Sequence, residues 1–176
     1  MSRPGFELIL GATIWLLGVG LLESGQDIGD ASVRTSFGIA GLLIGHGLWR
    51  LRLRLPAKLA RVGVALCAVA STAVGLGLAA GTSAGWIAAY SGILFVLPLG
   101  LALLGMGLWR GGGLTAWAKW IPVALAAAGV VTYGFHTLAR DVWDPPDSVM
   151  FILLGSGWLL LGLADLRSRP QTPSAV

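Results

Sequence analysis

The chain has 176 residues, 56% apolar and 11% charged, with a mean hydropathy of +0.82. That is about half the charge of a soluble domain, too little to clothe a protein of this size in water, so lipid must be the solvent for much of its surface. The net charge of +4 would suggest nucleic acid in a soluble protein, but here the basic residues stand between apolar runs, where they act as orientation signals and leave no reason to expect a nucleic-acid partner.

Six apolar runs follow one another at about 6–22, 33–49, 62–80, 86–109, 121–138 and 149–163. A helix crosses the hydrocarbon with about 20 residues, and a span must be helical to satisfy its own backbone in lipid. The runs are continuously apolar and do not alternate, which excludes a transmembrane barrel. The expected fold is therefore all-α: a polytopic membrane protein of six transmembrane helices arranged as three tandem helical hairpins. The whole chain, 1–176, forms a single integral membrane domain, with hairpins at about 6–50, 62–110 and 121–166 and a cytoplasmic tail at 167–176. The first run follows Arg3 and is read as a span, because no small-x-small cleavage site leads to a soluble domain. The third and fourth runs are separated only by Gly81-Thr82-Ser83-Ala84-Gly85, a tight turn that makes them antiparallel neighbours.

Six spans divide the basic residues sharply. Arg3, the second loop (Arg50, Arg52, Arg54, Lys58, Arg61), the fourth loop (Arg110, Lys119) and the tail (Arg167, Arg169) fall on one side, and only Arg34 and Arg140 on the other. The positive-inside rule then puts both termini in the cytoplasm of a multi-pass cell-membrane protein, with the bacterial inner membrane as the expected location. Glu23, Asp27, Asp30, Asp141, Asp144 and Asp147 all collect on the outer side. Trp49, Trp109, Trp117 and Trp120 mark the inner boundary and Trp86 and Trp143 the outer one, while Trp15 and Trp158 fall near mid-membrane as packing residues. The basic loops make anionic lipid headgroups an expected partner, beside the bilayer itself.

The octapeptide 43–50 matches 103–110 at six of eight positions, and 160–167 is a weaker third copy. All three copies end even-numbered runs, as expected of duplicated hairpins in a parallel repeat. Gly41, Gly45, Gly47, Gly105 and Gly107 are expected to serve close helix packing, since lipid offers helices no hydrophobic drive to associate. Pro98 should kink the fourth span.

Groups able to do chemistry are few. His46 near the inner end of the second run and His136 near the outer end of the fifth differ in depth by roughly 18 Å at about 1.5 Å per residue, so they cannot share a haem or a metal. Glu7 and Asp165 lie near the inner interface, where each can pair or snorkel. Asp141, Asp144 and Asp147 form the most distinctive loop; their oxygens suit a divalent cation, but their spacing matches no calcium loop. No catalytic residue, cofactor site or metal site is assigned, and His46, His136, Asp141, Asp144 and Asp147 are the candidate functional positions. HExxH, GxSxG and Walker patterns are all lacking. The layout of three hairpins resembles that of the HdeD-like acid-resistance membrane proteins, as layout alone, and no residue role follows from it. The expectation is a non-catalytic membrane protein, an accessory or stress-related factor that acts by helix packing as a homo-oligomer or with a membrane-protein partner. The alternatives are a small channel or facilitator, lined by hydroxyls such as those of Thr13, Ser71, Thr72, Tyr90, Ser91, Thr132 and Ser156, and a membrane-embedded enzyme.

Overall fold

The computed structural model describes residues 3–27, 30–111, 113–138 and 147–168. All regular structure among them is helical. The helices are α1 (Pro4–Glu23), α2 (Ala31–Arg52), α3 (Lys58–Ala80), α4 (Ser83–Gly111), α5 (Trp120–Leu138) and α6 (Asp147–Arg167). Four of the described helices are long and apolar enough to cross a membrane: α1, α3, α4 and the Ser148–Arg167 stretch of α6. The other two fall short for different reasons. α2 is 22 residues long but carries Arg34, His46, Arg50 and Arg52 and four glycines. The described apolar run into α5, Ala116–Val131, is shorter than a span requires.

Local chemistry sets the helix boundaries. α1 starts at Pro4, whose fixed φ and missing N–H suit a first turn. The turn expected at 81–85 takes only two residues. Gly81 ends α3 in the left-handed region at φ +62°, and Thr82 caps α4, its Oγ1 accepting from the Gly85 N–H at 3.1 Å. Pro98 has a structural counterpart just upstream. Residues Gly92–Val96 form a π turn in which the Leu97 N–H donates to the Gly92 carbonyl five residues back, a register shift placed where the proline interrupts the hydrogen-bond ladder.

Each helix packs on its neighbours in the chain, and α6 closes on α1, which makes a ring in sequence order. Among the described residues the contacts of α5 with α4 and α6 are the thinnest of the ring. Glycines set the close seams. A Cβ on Gly41 of α2 would lie 2.6 Å from the Cα of Gly75 of α3, and one on Gly63 of α3 would lie 2.6 Å from the Gly100 carbonyl oxygen of α4. Such backbone-to-backbone approach tolerates no side chain. Between α1, α2 and α6, Trp15 stands edge-on to Phe37 (centroids 4.8 Å apart) and to Phe151 (5.7 Å), and its indole N–H donates to the Phe151 carbonyl at 2.9 Å.

Candidate functional site

Every described basic residue except Arg34 lies toward one end of the ring, where α1 and α3 begin and α2, α4 and α6 end. Gly107 packs on Ala60, Gly111 on Ala57 and Gly113 on Pro56, while the Arg3 guanidinium donates to the Leu166 carbonyl at 2.8 Å. Glu23, Asp27 and Asp30 lie at the other end.

Two acids are exceptions, and both are bound within the basic end. Glu7, its side chain only 14% exposed, pairs with Arg50 and stands 3.1 Å from His46 Nδ1. His46 and Arg50 are one helical turn apart on α2, so the same face of α2 presents both to α1. The His46 side chain is 63% exposed. Asp165 is buried rather than extended to the surface. It is 1% exposed, its Oδ2 accepts the Gly5 N–H at 2.9 Å, and Arg54 lies 3.4 Å from its Oδ1. Gly5 and Gly162 allow this burial, because a Cβ on Gly5 would meet the Gly162 carbonyl oxygen and lie 3.0 Å from Asp165 Oδ2. At the acidic end, the Arg34 guanidinium donates to the Ala79 and Ala80 carbonyls at 2.6–2.9 Å. It thus caps the C-terminus of α3, which gives this one misplaced cation a local reason to be there.

The repeated octapeptides can be compared residue by residue. Gly45 of α2 faces Thr72 of α3, and Gly47 faces Leu8 of α1. Gly105 of α4 faces Val123 of α5, and Gly107 faces Ala60 of α3. The first glycine of each copy thus meets the following helix and the second meets the preceding one. Gly162, in the third copy, meets Gly5 and Ile9 of α1, the next helix round the ring. The seams differ in tightness. A Cβ on Gly45 would collide with Thr72 Oγ1 and lie 3.1 Å from the Ala68 carbonyl oxygen, whereas one on Gly105 would make an ordinary contact, 3.4 Å from Val123.

That loose seam opens into a groove of about 770 Å³ between α4 and α5, floored by residues such as Leu101, Gly105 and Ala126, with Trp109 and Arg110 at its basic end. Lys119 Nζ lies 4.2 Å above the Trp109 ring, which meets Trp120 edge-on at 4.8 Å. A smaller cavity of about 130 Å³ lies between α4, α5 and α6 beside Pro98.

No family model, no curated protein and no solved structure matches this chain.

The candidate positions fare unevenly. His46 belongs to the Glu7–Arg50 cluster. Asp141 and Asp144 lie outside the described residues, as do the side chains of His136 and Asp147, although the helices α5 and α6 include those two positions. Among the hydroxyls, Thr13 donates to the Ile9 carbonyl of its own helix at 2.8 Å, and Ser71 is buried. Sequence reasoning expected Glu7 and Asp165 to pair near the inner end, Glu7 with a basic residue nearby, but did not single out Arg50 and His46 or Arg54 and Gly5 as the partners. The four-residue spacing of His46 and Arg50 was the available signal for the partners of Glu7, and nothing in the sequence marked those of Asp165.

Proposed function

We propose that this is a six-span membrane protein with both ends in the cytoplasm, built of three duplicated hairpins, and that it is a non-catalytic accessory or stress-related factor acting by helix packing with itself or a partner helix. The observation that carries this reading is how four buried or half-buried polar side chains are engaged. Trp15 bonds Phe151, Asp165 bonds Gly5, Glu7 bonds Arg50, and Arg34 caps α3. Each of these bonds joins one helix to another, so the polar groups hold the scaffold together and the apolar outer faces are left for contact. The equivalent facing of Gly45 and Gly105 supports the duplication, and the gathering of the basic residues at one end supports the orientation.

Crosslinking in native membranes tests the packing role. A homodimer or a discrete larger complex is expected, and monomer alone, in membranes where a known complex crosslinks, would contradict it.

A second reading, a small facilitator, has one observation in its favour: the cavity beside Pro98 and the π turn, at the junction of three helices. Solute flux into proteoliposomes above that of empty vesicles, and lost in Pro98→Ala, would support it; flux no greater than in empty vesicles would remove it.

A further inference from the structure

We propose that the groove between α4 and α5 holds one anionic glycerophospholipid, its acyl chain along the apolar floor and its phosphate at Arg110 and Lys119.

Arg50 and Arg110 occupy the same place in their octapeptides. Arg50 has a carboxylate, Glu7, on the preceding helix. The packing identifies the position that corresponds to Glu7 in the second hairpin. Gly11 sits against Ile44 and Gly63 against Leu104, while Gly47 sits against Leu8 and Gly107 against Ala60. Both matches align α1 with α3 at the same offset and place Leu59 where α1 has Glu7. The second hairpin therefore has no acid to offer its arginine. Among the described residues no carboxylate pairs with Arg110 or Lys119, and Arg110 lines the groove instead.

Below that cation the groove offers what an acyl chain needs. From Leu101 to Trp109 on α4, and from Val123 to Val131 on α5, it runs for roughly 12 Å along the helices, lined by alanine, valine, leucine and methionine. Gly105 and Ala126 keep the floor low, and the seam does not close over it, since Gly105 makes only an ordinary contact with Val123. At the top, Trp109 and Trp120 are half exposed, as suits rings at the headgroup level. Arg110 lines that end of the groove and Lys119 lies over Trp109, which lines it too; a guanidinium and an ammonium are both groups that take a phosphate, the first as a fork and the second as a point charge. An apolar trough with cations at one end is complementary to an amphiphile with an anionic head. A partner helix would fill the trough and leave both cations without a counter-charge.

The inference rests on the membrane placement proposed above, but its test is made in detergent and does not depend on orientation, so the two can fail separately. The purified full chain is titrated with phosphatidylglycerol, with phosphatidylcholine of the same chains, and with glycerol phosphate, and adducts are counted by native mass spectrometry. The expected result is a single retained phosphatidylglycerol, with phosphatidylcholine held at least about tenfold more weakly and glycerol phosphate not retained. The double variant R110Q/K119Q should lose about tenfold in phosphatidylglycerol affinity. Ala127→Phe, which fills the groove from an exposed position, should lose a similar factor. Arg52→Gln removes a cation at the same end of the bundle, one stacked on Trp49, and should change affinity by less than about twofold. The proposal is overturned if the two lipids bind alike, if Arg52→Gln weakens binding as much as the double variant, or if glycerol phosphate binds as tightly as the lipid. Should Ala127→Phe fail to fold, the charge variants decide the matter alone.

Discussion

α2 and α4 end in nearly the same eight residues and meet different neighbours. On α2 the motif is closed on both sides. Gly45 is pressed against Thr72, Gly47 against Leu8, and Arg50 is neutralised by Glu7. On α4 the side facing α3 is tighter still at Gly107, against the Ala60 backbone, but the side facing α5 is open at Gly105, and Arg110 has no carboxylate among the described residues. One sequence motif therefore serves two ends: a sealed helix–helix seam where the neighbour brings small residues and an acid, and a charged apolar groove where it does not.

Four substitutions would break or sharpen that contrast, read as unfolding free energy or melting temperature in detergent. The largest effect is expected of Gly45→Leu, which forces a side chain against Thr72 Oγ1 and the Ala68 carbonyl oxygen and should cost about 3 kcal/mol. Asp165→Leu comes next. It strips the Gly5 N–H of its buried acceptor and should cost about 2 kcal/mol. Glu7→Gln leaves Arg50 and His46 without their anion in a half-buried site and should cost about 1 kcal/mol. Gly105→Ala should be the smallest, within about 0.5 kcal/mol of wild type or slightly stabilising, because the added methyl finds room and alanine favours the helix. Equal losses for Gly45→Leu and Gly105→Ala would erase the distinction between the two seams.

Much of the architecture was legible before any coordinates. The apolar runs at 62–80 and 86–109 fall within α3 and α4, and the gathering of arginines was visible in the loops they leave. The second run reads as a span, yet the glycines and cations that pack α2 between α1 and α3 also lower its hydropathy. The turn at Gly81-Thr82 proved shorter than its five small residues suggested, because a left-handed glycine and a threonine cap together need only two positions. The site was less legible. Helices that are apolar on every side give no periodic signal for which face meets which neighbour. The pairing of Glu7 with Arg50, 43 residues away, therefore depends on which faces α1 and α2 present to each other, and the burial of Asp165 beneath Gly5, 160 residues away, on the closure of α6 onto α1. The same holds for the groove, which exists because α5 stands off from Gly105.

The proposed function depends on a bilayer surrounding the ring, and the proposed orientation on the basic end facing inside. Single cysteines at Glu23 and Ala116, both exposed and at opposite ends of the bundle, report this directly, since the native Cys67 is buried. With a membrane-impermeant maleimide, Glu23→Cys should label in intact cells and Ala116→Cys only after the membrane is opened. Labelling of Ala116→Cys in intact cells, with Glu23→Cys protected, would contradict the orientation, and recovery of the chain from the soluble fraction without detergent would contradict the membrane placement itself.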